Sequence, residues 1–191
     1  MSKANHRVHR EILCSLRSGS DHTRGRIRRT AMIRGDEDIA EGLLNAFRLE
    51  KGAHAFYEAA SERVQDRSAV EMFRKLADVE ERHMHDVYDL YHAFIGDRGP
   101  VPFPEFKEKM PAEYTESGKT IEAALSDVQG RFFMDAKEVL RVALQEESSA
   151  LDLYTRMAER SEDPGTAALY RQLSGEEEEH KSMIEKTLKG L

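Results

Sequence analysis

The chain has 191 residues, 39% of them apolar and 34% charged, with one cysteine, no Trp and a formal net charge of −7. Such a composition supplies one sizeable core and excludes a wholly disordered chain. The lone Cys14 excludes a disulfide framework, a zinc ribbon and any iron–sulfur or rubredoxin-type site built on cysteines.

No run of 18 apolar residues occurs, so no membrane span is expected. Residues 1–35 hold nine Lys/Arg against Glu11 and Asp21, which leaves −14 on residues 36–191. An acidic body does not suit nucleic acid, whose phosphates need cations. The basic arm reads as a disordered tail. Its Arg- and Ser-rich, acid-poor composition is also that of transit peptides, and Met32 offers an alternative start. It lacks the apolar stretch of a secretory signal, so a cytoplasmic protein is expected.

Four segments carry helical periodicity. The first runs from about Asp36 to Val64, with Asp36, Glu37 and Asp38 in its first turn, where negative charge favours a helix N-terminus. The second runs from about Ser68 to Ile95 and stops at Gly96. The third spans about Asp135 to Arg160, and the fourth starts near Pro164 and ends near Gly190. Short links around Asp66 and Asp163 predict antiparallel helix pairs. Residues 96–134 hold four of the five prolines and predict a crossover along the bundle, with a short helix over Thr120–Val128. A domain boundary there is rejected, because neither helix pair can bury a core alone. The expected architecture is an all-α, antiparallel four-helix bundle of two helix pairs over residues 36–191, with one long crossover and the arm 1–35 outside it.

The apolar stripes step by three and four, as an antiparallel bundle requires. They run through Leu43, Ala46, Ala53, Tyr57 and Ala60, then Phe73, Leu76, Val87, Leu90 and Phe94. The third helix gives Leu140, Ala143, Ala150, Tyr154 and Met157, and the fourth gives Tyr170, Leu173, Ile184 and Leu188. Each stripe skips a step, and the skipped places hold Glu50, Glu80 with His83, Glu147, and Glu177 with His180. The halves repeat at an offset of 97 residues, with 14 of 43 positions identical between Glu41 and His83 and no gap. The identities include Glu50/Glu147, Tyr57/Tyr154, Glu80/Glu177 and His83/His180, so a two-fold arrangement points both polar sets at one centre.

Burying them is unfavourable. An ionised carboxylate in a low-dielectric core costs several kcal/mol unless compensated, and four in one small volume repel each other. Two divalent cations would neutralise four glutamates and satisfy their lone pairs, with one neutral imidazole completing each shell. Positions i and i+3 share a helix face, so each Glu-x-x-His reaches one site. One such motif is weak. Two, each with a glutamate 30 residues upstream that is followed seven residues later by tyrosine, are specific as a set. Tyr57 and Tyr154 are core aromatics or hydrogen-bond partners of a ligand that can donate an electron. Within Gly175–His180 only Glu177 has the repeat register, and Glu176, Glu178 and Glu179 read as the solvated face. His54 and His85 read as surface or structural residues.

The stretches LEKGAHAFYEAASERV, FRKLADVEERH, EESSALDLYTRMAER and YRQLSGEEEEH resemble the ferritin-like superfamily, and within it the rubrerythrin-like branch, over about residues 36–95 and 135–190. The resemblance implies a lone metal-binding glutamate on each of two helices, here Glu50 and Glu147. It implies a Glu-x-x-His on each of the other two, here Glu80/His83 and Glu177/His180. Two departures stand out. Rubrerythrins acting as peroxidases commonly carry a rubredoxin domain with four cysteines, so electrons here would come from an external donor protein. Those enzymes also have a further glutamate three residues after the third-helix ligand, where this chain has Ala150.

Carboxylate and imidazole donors suit iron or manganese, with zinc an in vitro competitor. The expected function is a two-iron carboxylate protein that oxidises Fe(II) with hydrogen peroxide or dioxygen, as a peroxide scavenger or ferroxidase. An oxidase or oxygenase acting on an organic substrate and a non-catalytic iron-binding protein are the alternatives. The resemblance also implies a homodimer or larger homo-oligomer.

Overall fold

The computed structural model describes residues 39–112, 114–115, 117–126 and 135–191. The basic arm and the acidic first turn expected at Asp36–Asp38 lie outside the described residues. Among the described residues six helices follow in chain order: α1 (Ile39–Arg63), α2 (Arg67–Ile95), α3 (Phe103–Lys109), α4 (Ile121–Ser126), α5 (Ala136–Arg160) and α6 (Pro164–Gly190). The four long ones are those expected from periodicity, and their ends follow local chemistry. Asp66, Asp135 and Asp163 each cap a helix by accepting backbone N–H groups of the first turn. Asp66 and Asp163 are repeat partners that make the same sharp entry into α2 and α6. Helix α2 ends where Gly96 adopts φ 66° and the Asp97 N–H reaches back to the His92 carbonyl.

Helix α1 pairs with α2, and α5 with α6, through links too short for anything but antiparallel packing. The core is split in two. One apolar cluster gathers Leu43, Phe47, Val87, Tyr154, Tyr170 and Leu173 toward one end of the bundle. The other gathers Tyr57, Phe73, Leu76, Val139, Leu140 and Ile184 toward the opposite end. The skipped steps of the stripes lie between them. Every stripe residue is buried except Leu90, Phe94 and Leu188, which are half-buried at the helix ends.

Over its described residues the crossover is more regular than its prolines suggest. Pro102 and Pro104 sit at and just inside the start of α3, where a missing N–H does no harm. Phe106 of α3 packs edge-on against Phe47 at 4.9 Å between centroids, and Tyr88 donates to the Val101 carbonyl at 2.7 Å. Lys51 donates to the carbonyls of Lys107 and Met110 at the C-terminal end of α3, where carbonyls lack helical partners. The chain then crosses α1 so closely that a Cβ at Gly52 would lie 1.9 Å from the Tyr114 carbonyl oxygen. A turn over Tyr114–Thr120 follows, with Gly118 at φ 76°. It is pinned to α5 by the buried Glu146, which accepts from the Ser117 N–H at 3.0 Å and hydroxyl at 2.8 Å. Helix α4 covers the second cluster with Ala124, within the short helix expected over Thr120–Val128; positions 127–128 lie outside the described residues.

Candidate metal centre

Each long helix brings its polar residues to the mid-plane. Glu50 and Glu147 are flanked one turn either way by Ala46/Ala53 and Ala143/Ala150, all buried, which leaves room at the level of the carboxylates. All six groups, Glu50, Glu80, His83, Glu147, Glu177 and His180, are buried. They converge as two overlapping sets of four whose donor atoms lie within 4.8 Å of one another. One set is Glu50, Glu80, His83 and Glu177, and the other is Glu147, Glu80, Glu177 and His180. Glu80 and Glu177 belong to both.

The distances respect the repeat. His83 Nδ1 lies 3.0 Å from Glu50 Oε2 and 3.0 Å from Glu80 Oε2. His180 Nδ1 lies 3.1 Å from Glu147 Oε2 and 3.1 Å from Glu177 Oε2. The cross-contacts are longer, with His83 Nδ1 3.7 Å from Glu177 Oε1 and His180 Nδ1 3.5 Å from Glu80 Oε1. The imidazoles stack at 5.5 Å with their planes 19° apart. The Tyr57 hydroxyl donates to Glu147 Oε1 and the Tyr154 hydroxyl to Glu50 Oε1. Each lone glutamate is thus held by a tyrosine of the opposite half.

Electrostatics separate the carboxylates into two kinds. Burial pushes Glu50 up, but His83, Glu80 and Tyr154 outweigh it and hold the carboxyl below its usual range. Glu147 behaves alike through Glu177, His180 and Tyr57. Burial lifts Glu80 to about 8, with Glu50 and Glu147 adding repulsion against the attraction of His83. Burial and the neighbouring carboxylates push Glu177 well above its usual value. Both histidines go up, because the surrounding glutamates overcome the burial that opposes their charge. The site's own groups thus divide into carboxyls favoured as anions, Glu50 and Glu147, carboxyls shifted toward the protonated form, Glu80 and Glu177, and imidazoles shifted toward the cation, His83 and His180.

This donor set fits divalent cations. Both Nδ1 atoms face the carboxylates, and Glu80 Oε1 is a buried acceptor with no hydrogen-bond donor. Cations would compete with protons at Glu80, Glu177 and the imidazoles, whose shifts all favour the protonated form in the absence of metal. Carboxylate and imidazole donors without sulfur suit iron or manganese.

One residue departs from what the sequence predicts. Glu176 belongs only partly to the solvated face: its side chain is 28% exposed and Glu176 Oε2 lies 3.0 Å from His83 Nε2. That contact and the Gln172 amide hold the Glu176 carboxyl down at about 2. The repeat partner of Glu176 is Val79, so the repeat carried no signal for it. Glu146 is a fifth buried glutamate, but it faces Ser117. His92 is buried, with its ring against Tyr88, Tyr91 and Phe106. Ala150 is buried at the position where peroxidase-type relatives place an extra glutamate. His54 is half-buried near Glu58 and Glu81, and His85 stacks on Phe103, both away from the centre.

An all-helical bundle with a central carboxylate–histidine cluster defines a ferritin-like protein. The chain belongs to the rubrerythrin family, whose model matches residues 41–129 and 138–191. Solved structures agree on the fold. A hypothetical protein from Pyrococcus furiosus matches with a TM-score of 0.62 at 20% identity, covering 82% of this chain and 92% of that one. A dodecameric thioferritin, the bacterioferritin-related protein of Bacteroides fragilis, matches at 0.56 and 19%, covering 83% and 90%. A two-domain protein of Anabaena variabilis with DJ-1/ThiJ/PfpI-like and ferritin-like domains matches at 0.57 and 14%, covering 94% of this chain and 48% of that one. No curated protein sequence matches the chain. Among the described residues, no helix is long and apolar enough to cross a membrane.

Proposed function

We propose that the protein binds two iron ions between Glu50, Glu80, His83, Glu147, Glu177 and His180, and uses them to reduce hydrogen peroxide or dioxygen while Fe(II) is oxidised. The observation that carries this reading is the sharing of Glu80 and Glu177 by two overlapping four-residue sets in a fully buried site. In it, Glu80 and Glu177, common to both sets, would serve both ions, Glu50 and Glu147 would serve one each, and His83 and His180 would each hold one ion through the Nδ1 that faces the carboxylates. When bound, a ferrous pair supplies two electrons at one place, so peroxide ends as water without release of a one-electron radical.

The chain's own groups do the rest. Tyr154 and Tyr57 fix Glu50 and Glu147 through their hydroxyls and can donate an electron. Glu176 fixes the ring of His83. The apolar clusters above and below limit water and tune the potential. Electrons for repeated turnover come from an external donor protein.

The proposal also includes a cytoplasmic location and self-association as a homodimer or larger assembly; the dodecameric state described for the Bacteroides thioferritin supports the latter. Residues 36–191 are proposed to be the bundle and residues 1–35 a separate arm. Anaerobic Fe(II) titration followed by stopped-flow mixing with peroxide, and separately with dioxygen, tests the activity. Rapid oxidation of the bound Fe(II) is expected. Binding without rapid oxidation by either oxidant would instead make the protein an iron carrier.

A further inference from the structure

The two tyrosines that hold Glu50 and Glu147 occupy equivalent places but have different neighbours. Tyr154 stacks on Tyr170, with centroids 6.0 Å apart and planes 11° from parallel. Tyr57 stacks on Phe73, at 6.1 Å and 19°. Tyr170 and Phe73 are repeat partners, so the geometry is duplicated and only the hydroxyl differs. That hydroxyl has space made for it. A Cβ at Gly42 would sit 3.4 Å from the Tyr170 oxygen, and the further methyls of a valine would crowd it. The repeat partner of Gly42 is Val139, packed in the same apolar cluster as Phe73, where no hydroxyl needs room. A Gly–Tyr combination on one side and a Val–Phe combination on the other is a coordinated difference.

We propose that Tyr154 and Tyr170 form a one-sided relay that carries an oxidising equivalent away from the centre, while the Tyr57 branch ends at Phe73. Phenols give up an electron and a proton together at potentials where a phenyl ring does not. The inference rests on the proposed reaction with peroxide and concerns the case in which only one Fe(II) is available. Peroxide needs two electrons. Fe(II) would supply one and Tyr154 the other, with the phenolic proton passing by way of Glu50 Oε1, its hydrogen-bond acceptor, to the peroxide oxygens and the second proton coming from solvent. Hydrogen peroxide, one Fe(II), one tyrosine and one proton thus give one Fe(III), one tyrosyl radical and two waters. Tyr170 then passes an electron and a proton to the Tyr154 phenoxyl, restoring Tyr154 and leaving the radical on Tyr170, inside the apolar cluster. An external reductant such as a thiol or ascorbate returns one electron and one proton there. The ligand-holding hydrogen bond of Tyr154 is broken only transiently.

The test uses the full chain loaded anaerobically with one Fe(II) per chain, mixed with hydrogen peroxide and freeze-quenched. Iron oxidation is followed optically, and radicals by electron paramagnetic resonance with ring-deuterated tyrosine. A tyrosyl radical is expected in the wild-type protein. In Tyr170→Phe it should decay at least tenfold faster, and in Tyr154→Phe, where only Tyr57 can donate, any radical should likewise decay at least tenfold faster. Tyr57→Phe should leave the radical's lifetime within twofold. Equal lifetimes in wild type, Tyr170→Phe and Tyr154→Phe would overturn the relay, as would iron oxidation without a tyrosyl radical. Failure of bound iron to oxidise at all would remove the proposed reaction and the relay with it. Tyr170→Phe deletes a single oxygen, and an unchanged circular dichroism melt checks that it folds.

Discussion

The two halves of the bundle are best understood against each other. They share the six buried groups, Glu50/Glu147, Glu80/Glu177 and His83/His180, with the tyrosines that hold the lone glutamates and the aspartates that start α2 and α6. Where they differ, the differences fall outside the six groups. Gly52 and Glu146 stand against Ser149 and Leu49 and seat the crossover. Glu176 stands against Val79 and touches one histidine only. Gly42 and Tyr170 stand against Val139 and Phe73. Losing one carboxylate or imidazole at the centre would leave the others buried and uncompensated. The surroundings carry no such charge balance, and there the halves differ.

The shared positions should give the largest effects. Glu80→Ala and Glu177→Ala each remove a group common to both sets, so iron loading should fall from two ions to below one per chain, measured by metal analysis after desalting. The rise in melting temperature on adding Fe(II), expected from binding to the folded state alone, should vanish as well. Glu50→Ala and Glu147→Ala each touch one set and should leave about one ion. Equal losses from all four variants would refute the division into shared and separate ligands.

The one-sided positions should give smaller, asymmetric effects. Glu176→Gln should weaken one ion's binding by about 10–100-fold and leave the other within twofold, since orienting partners of metal-bound histidines are typically worth that much. Two-phase titration curves would show it, and a parallel shift of both phases would contradict it. Gly52→Ala should destabilise the fold by at least about 1–3 kcal/mol, because the new methyl meets backbone and cannot be accommodated by a side-chain rotation. Denaturant unfolding should then show a lowered midpoint while the loaded protein still holds two ions.

The pH response of the metal-free protein follows from the same charges. Glu80, raised to about 8, and Glu177 are protonated in the fold and ionised in the unfolded chain over much of the range above 4.5. Stability therefore falls as pH rises from 4.5 toward 8. His83 and His180 act in the same direction: their contribution is complete below 6.5 and is lost as pH climbs through their raised values. Glu50 and Glu147 contribute stability that is present above 4.5 and lost in acid. The melting temperature without metal should peak between pH 4.5 and 6.5 and decline toward 8, while iron affinity rises over the same interval as ligands lose protons. A flat or rising calorimetric profile from 6 to 8 would count against this charge assignment. The smallest effect should come from removing residues 1–31, which is expected to leave iron content unchanged; a loss of binding would give the arm a role at the centre.

Much of this is legible in the sequence. The long helices announced themselves through stripes of period three and four, and the centre through polar residues that interrupted those stripes at repeat-matched places. The parts that escaped have no repeat partner or no periodicity. Four prolines over residues 96–134 mark a crossover and mask its first helix, although Phe-Pro-Glu-Phe places a proline where a helix tolerates it and two phenylalanines on one face; α3 is the result. Gly52 reads as an ordinary helical glycine until another backbone is seen crossing it. Glu176 sits in a run of four glutamates, and only the position of His83 on a distant helix separates it from its neighbours.

The central claim is that two ions share Glu80 and Glu177. Mössbauer spectroscopy of the protein loaded with two equivalents of enriched Fe(II) and then oxidised tests it most directly. A spin-coupled ferric pair with a diamagnetic ground state is the predicted spectrum, and two magnetically isolated high-spin ferric ions, or one ion per chain, would contradict it.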